Sequence, residues 1–192
     1  FFNSNNGVYP RSGLLLLANK LYGTTTMGGA FNNGTLFEYD LTADTFYLRS
    51  DFSTLSNQTF ISNELLLASN GKLYGTAQKG GNNNYGGIFE YDIANHTTQV
   101  VALFDSINTG AFPLGKLLEV KPGVLMGSTG QGGYYGTGTI FEFSIDSAKL
   151  YPYLQLSPDL QNTNWLLQLA HSPTVISQQC HDTTYCIGGN AI

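Results

Sequence analysis

Charge is scarce in this chain. Only 11% of its 192 residues are Asp, Glu, Lys or Arg, against about 25% in an average soluble domain. The eight Lys and Arg are scattered and thirteen Asp and Glu outnumber them, giving a net charge of −5. No basic patch exists to hold phosphate, which excludes nucleic acid as a partner. Apolar runs such as Leu14 to Ala18 fall far short of the roughly 18 residues that a membrane-spanning helix requires, so membrane insertion by a helix is not expected. Cysteine is confined to Cys180 and Cys186. The body of the chain therefore has no disulfide framework, and the two cysteines could pair with each other or elsewhere. His96, His171 and His181 share no metal-ligand spacing, and no Asp-rich calcium loop occurs, so neither a metal nor a cofactor is expected. Phe1-Phe2-Asn3 opens the chain without an initiator Met or a signal-peptide pattern, as expected of a piece of a longer polypeptide.

What the chain does have is aromatics (13%), 23 glycines and a period. Leu21-Tyr22-Gly23-Thr24 recurs as Leu73-Tyr74-Gly75-Thr76 and, relaxed, as Leu125-Met126-Gly127-Ser128, each 52 residues on. Gly28-Gly29 returns at the same offset as Gly80-Gly81 and Gly132-Gly133. So does Gly34-Thr35-Leu36-Phe37-Glu38-Tyr39-Asp40, as Gly86 to Asp92 and Gly138 to Ser144. The opening segment through Gly7-Val8-Tyr9-Pro10 matches Gly110-Ala111-Phe112-Pro113, so the chain starts inside a repeat. A fixed period in the range of about 20–50 residues is the signature of solenoids, propellers and arrays.

Each period reads as four strands. The first is Leu-rich (Leu14 to Leu17, Leu65 to Ala68, Leu117 to Val120), and the second is the Leu-Tyr-Gly-Thr segment. The third, Thr35 to Asp40 and its copies, alternates as a half-buried strand does. The fourth follows a short turn (Thr45 to Arg49, Thr98 to Leu103, Lys149 to Leu154). Four strands in about 50 residues make one propeller blade. The fold class is all-β, a partial β-propeller of four-stranded antiparallel blades spanning 1–170, with 171–192 as a linker and a further start. Trp165 to Leu169 is a candidate to close the last blade.

The recurrent chemistry reads as structural. No helical period follows the paired glycines, so they are not a phosphate cradle; they fit backbone positions needing positive φ and close approach. Glu38, Glu90 and Glu142 recur at one position, as do Asp40 and Asp92. An acid present in every blade serves the blade, and hydrogen bonds to neighbouring loops or turns are expected for these. No residue is expected to be catalytic.

The pattern of apolar strand, diglycine, variable loop and aromatic strand ending in Tyr-Asp resembles the kelch repeat. Leu-Tyr-Gly-Thr-Thr, Gly-Gly and Gly-Thr-x-Phe together resemble more closely still a bacterial tandem repeat of secreted surface proteins, over residues 2 to 156. In the third copy Met126 departs from Tyr and Ser144 from Asp. Ser172-Pro173 to Gln178, followed by Cys186-Ile187-Gly188-Gly189-Asn190-Ala191, resembles the opening of an adhesin-type immunoglobulin-like module. These resemblances imply a propeller fold, an extracellular, secreted or cell-surface location, and further blades from the rest of the same polypeptide. Asp105-Ser106-Ile107, Asp146-Ser147-Ala148 and Asp182-Thr183-Thr184 resemble sites that Bacteroidota glycosylate on exported proteins, which would modify Ser106, Ser147 and Thr183.

Loops that vary while strands repeat are the natural ligand surface. Between the diglycine and the third strand this points to Asn83, Asn84, Tyr85, Tyr134 and Tyr135. The expected function is that of a non-catalytic surface module, for adhesion or for binding a glycan or protein ligand. The alternatives are a propeller-class glycoside hydrolase or lyase with its site in other blades, and a structural part of a surface assembly.

Overall fold

The computed structural model describes residues 3–52, 63–81 and 83–155, together with the backbone of 166–167 and 176–177. Its body is three four-stranded antiparallel sheets, each a β-propeller blade built from consecutive strands. The first blade is β1 (Leu15–Leu17), β2 (Lys20–Thr25), β3 (Thr35–Asp40) and β4 (Thr45–Asp51). The second is β5 (Leu66–Leu67), β6 (Leu73–Ala77), β7 (Gly87–Asp92) and β8 (Thr97–Leu103). The third is β9 (Ala111–Lys121), β10 (Val124–Gln131), β11 (Thr139–Ser144) and β12 (Lys149–Gln155). The aromatic strand has the bounds expected of it, whereas β9 starts six residues before the expected Leu117. Between Met126 and Ser128 the pairing of β10 with β9 shifts register, and the ladder then continues as far as Gln131 opposite Ala111.

Every blade carries the same irregularity. The register between third and fourth strands slips after Leu36, Ile88 and Ile140, leaving Arg49, Val101 and Tyr153 as extra residues on the outer strand. A bulge kept at one place in three copies sets the local bend of each blade.

Strand alternation gives each sheet two chemically different faces. One carries Tyr22, Leu36 and Glu38 in the first blade, with Tyr74, Ile88 and Glu90 as equivalents; we call it the tyrosine face. The other, the phenylalanine face, carries Leu21, Phe37 and Tyr39, with Leu73, Phe89 and Tyr91 as equivalents. Tyr22 and Leu36 form one core with Leu73, Phe89 and Tyr91 of the next blade. Tyr74 and Ile88 do the same with Leu125, Phe141 and Phe143. Each tyrosine face thus packs on the following blade's phenylalanine face. Phe52 and Phe104, just beyond the outer strands, seal the joints with rings 4.9 Å from Phe89 and Phe141.

The ends of the stack have no neighbouring blade among the described residues. Leu16 and Leu48 on the first phenylalanine face are 63% and 42% exposed, and Leu118 on the third tyrosine face is 63% exposed. The expectation that Trp165 to Leu169 closes the last blade is not met. β12 already holds that blade's outer edge, and β13 (Leu166–Leu167) pairs instead with β14 (Ile176–Ser177) in a separate two-stranded sheet. The segments carrying Cys180, Thr183 and Cys186, and with them the immunoglobulin-like start, lie outside the described residues.

Candidate functional site

At one end of each sheet, the loop between second and third strands lies against the connection that leads into the first strand. Gly29 N donates to Ser4 O (2.9 Å) and Gly133 N to Ser106 O (2.6 Å). The diglycine is what permits this approach. All six glycines have positive φ, and a Cβ on Gly28 would lie 2.5 Å from the Gly7 Cα. Buried threonines clamp the same junction. Thr139 Oγ1 donates to Thr109 O (2.9 Å) and lies 3.1 Å from Thr129 Oγ1; Thr35 reaches Asn6 O (2.9 Å) in the first blade.

On this loop face the five candidate residues divide. Asn84 has φ +59, and its Oδ1 accepts from Gly80 N (3.0 Å), as Asn32 Oδ1 does from Gly28 N (2.8 Å). That is turn chemistry, since Asn tolerates the left-handed region and hydrogen bonds its own loop. Tyr85 is half-buried, meets Phe112 edge-on at 6.5 Å and accepts from Phe112 N (2.9 Å), so it joins the second blade to the third. Asn83 is exposed. Tyr134 and Tyr135 are exposed together, 79% and 42%, with rings 4.9 Å apart edge to face. Their loop is anchored: Tyr134 N donates to Gln155 Oε1 (2.8 Å), and Gln155 Nε2 donates to Asn108 O (2.9 Å). Ser106 sits half-buried at φ +70, in a turn whose Asp105 carboxylate accepts from the Asn108 and Thr109 amides. Ser147 is exposed in the turn before β12.

The recurrent acids behave differently from expectation in one respect. Asp40 and Asp92 do cap their turns, accepting from Thr42 and Ala43 and from Ala94 and Asn95. Glu38 and Glu90, however, hold strands and not loops. Glu38 is wholly buried and accepts from Lys20 Nζ (2.6 Å) and Arg49 Nε (2.8 Å). Glu90 accepts from Lys72 Nζ (2.7 Å), Tyr74 OH (2.5 Å) and Gln99 Nε2 (3.1 Å). Burial alone would raise both carboxyl pKa values. The bonds from Arg49 and Lys20, and from Lys72, Tyr74 and Gln99, outweigh it and hold both groups ionised below the usual carboxylate range. Burial also pushes Tyr91, which faces Glu38 from the next blade, up to about 12. Both carboxylates are thus held by cations or donors of their own sheet.

The period, the blade and the diglycine loop now have a counterpart among known proteins. The model of the Gloeobacter/Verrucomicrobia repeat matches residues 1–164. The chain belongs to this repeat family. No curated protein matches it. Among solved structures it is similar to TolB from Acinetobacter baumannii, with TM-score 0.50 and 16% identity over 88% of this chain and 37% of that one. It is also similar to the extracellular domain of the one-component system BT4673 from B. thetaiotaomicron, with TM-score 0.54 and 16% identity over 90% of this chain and 22% of that one. The chain thus spans well under half the length of these structures, and at such identity the likeness concerns the propeller fold alone.

Aligning the Gloeobacter/Verrucomicrobia repeats on their diglycines reveals residues that the sequence reading missed. Phe31 stands where Tyr135 stands two periods later, and it is 76% exposed. Tyr9, 57% exposed, holds φ +57 with the Arg11 guanidinium 5.5 Å over its ring. Its equivalent Phe112 has φ +56. A left-handed aromatic is a costly backbone choice, and it is made twice beside the same loops. The signal was available, because an aromatic follows Gly28-Gly29 by two residues just as one follows Gly132-Gly133.

Proposed function

We propose that this chain is a non-catalytic extracellular propeller segment that binds glycan through its diglycine-loop face, with further blades of the same polypeptide covering its open ends. The observation that carries the reading is the exposed, anchored pair Tyr134 and Tyr135. Rigid aromatic faces in water offer stacking area to the apolar face of a sugar ring at little entropic cost, and the phenol tips supply hydrogen bonds. Asn83, one blade before, and Phe31, two blades before Tyr135, give the same loop position a polar and a second aromatic side chain. An extracellular setting is supported by the resemblance to secreted surface repeats and is compatible with a fold like that of the BT4673 extracellular domain. A glycoside hydrolase reading would call for a pair of acids free to transfer protons, whereas Glu38 and Glu90 are spent on Lys20, Arg49, Lys72 and Tyr74, which leaves Glu142 alone of the three recurrent glutamates.

A glycan array probed with the chain and with Tyr134→Ala/Tyr135→Ala tests this. Binding that falls at least about tenfold in the variant, about 1.4 kcal/mol, is the expected result. Binding that survives the double substitution, or no glycan binding by the unchanged protein, would refute the assignment. A second reading, a structural part of a surface assembly, is favoured by the open faces carrying Leu16, Leu48 and Leu118; it predicts no glycan signal.

A further inference from the structure

The tyrosine face of the third blade breaks the rule that the first two obey. In those blades the glutamate of the aromatic strand is neutralised by its own sheet, through Lys20 and Arg49 or through Lys72, Tyr74 and Gln99. In the third blade Val124 replaces the lysine, Met126 the tyrosine and Tyr151 the glutamine, at the same register positions. Glu142 remains. It has no ion pair or hydrogen bond with any described residue. Lys149 lies further along this face, opposite Ser144 at the exposed end of β12, and makes no ion pair with it.

Glu38 and Glu90 show what happens at this position when a blade is covered: 0% and 6% of each stays exposed. A sheet seated on the third blade in the same way would bury Glu142. The phenylalanine faces of this chain would bring it no cation. Around the point that meets the glutamate they present Leu73, Phe89 and Tyr91, or Leu125, Phe141 and Phe143. Leaving one buried charge without its partner is strongly destabilising, more so than the net worth of a complete pair.

We propose that the open face of the third blade receives a sheet that brings a lysine or arginine to Glu142, and so is not another copy of the regular repeat. The inference rests on the reading that a further sheet covers this face; it does not depend on the ligand of the loops. Position 91 marks where the cation would come from, since Tyr91 lies against the Glu38 site, with its ring 6.4 Å from that of Tyr22.

The test is an extra copy of residues 52–103 inserted after Gln155 of the full chain, which continues the period, since Asp51, Leu103 and Gln155 hold one register position, and sets a new phenylalanine face over Glu142. Two versions, with Tyr91→Phe or Tyr91→Lys in the inserted copy only, are compared by urea unfolding. The lysine version should have a folding equilibrium constant at least about tenfold larger, and Glu142→Gln should abolish or reverse the difference. Equal stability of the two versions, a more stable phenylalanine version, or a lysine advantage that survives Glu142→Gln would overturn the inference. If neither version is more stable than the uninserted chain, the face does not take a blade in this register, which overturns the covering reading itself.

Discussion

Replacing Gly75 by alanine tests how the two signatures of the repeat depend on each other. Gly75 pairs with Phe89 across β6 and β7, and an added Cβ would lie 2.4 Å from the Phe89 Cζ and 2.7 Å from its Cε1. The ring has no room to retreat. It is 0% exposed and held on its far side by Phe52 at 4.9 Å, while Leu65 Cδ2 stands 3.2 Å from the same added Cβ. Gly75 has no positive φ, so alanine itself fits the strand and should gain about 0.5–1 kcal/mol over glycine. Overpacking costs about 1–3 kcal/mol, so Gly75→Ala should destabilise by roughly 1–2 kcal/mol. Phe89→Leu alone loses burial worth about 1–2 kcal/mol but withdraws the ring edge from the Cβ position. The double variant should then be no less stable than Phe89→Leu, a coupling of about 1–2 kcal/mol in urea melts. Effects that add within about 0.5 kcal/mol would mean that the ring over the glycine is not why glycine stands there. The same contact recurs at Gly23 with Phe37 (2.6 Å) and at Gly127 with Phe141 (2.5 Å).

Phe89→Ala, removing the ring altogether, should cost about 3–5 kcal/mol in a chemical melt, and a loss under about 1 kcal/mol would show the side chain to be outside the core. Thr139→Val keeps the shape but strands the Thr109 carbonyl, so it should cost about 1–3 kcal/mol by denaturant midpoint; a neutral result would remove the clamp from the account. Glu38 and Glu90 have folded pKa values below those of the unfolded chain, about 4.3. Their contribution is therefore full above that pH and is lost as pH falls through the folded values. The urea midpoint should stay level from about pH 7 to 5 and drop below about pH 4.5, and Glu38→Gln/Glu90→Gln should lower the plateau and flatten the drop. An acid limb as steep in the variant would place the titration elsewhere.

The period made the strands legible, because hydrophobic alternation and turn chemistry are local. Thr35–Asp40 and its copies needed nothing else. The first strand was harder: Leu66–Leu67 has 2 residues and Ala111–Lys121 has 11 at equivalent places in the repeat, since pairing beyond the leucines depends on the register shifts of β10 and not on composition. The recurrent acids were expected to bond loops or turns, which holds for Asp40 and Asp92 but not for Glu38 and Glu90. Lys20 with Glu38 and Lys72 with Glu90 repeat at a spacing of 18 residues, a signal written in the chain but only meaningful once strand pairing sets them side by side. Of the loop candidates, the sequence could rank variability but not exposure. Asn84 and Tyr85 turned out to hold the loop and the blade joint, while Phe31 and Tyr9 were overlooked.

The central claim is the proposal that further blades cover the two end faces of this stack. Multi-angle light scattering of the 192-residue chain across a range of concentrations tests it most directly. Apolar side chains such as Leu16, Leu48 and Leu118, exposed on broad sheet faces, should drive self-association to species well above 20.8 kDa that grow with concentration. A monodisperse 20.8 kDa monomer that unfolds in one cooperative transition would contradict it, for the three blades would then be complete without neighbours.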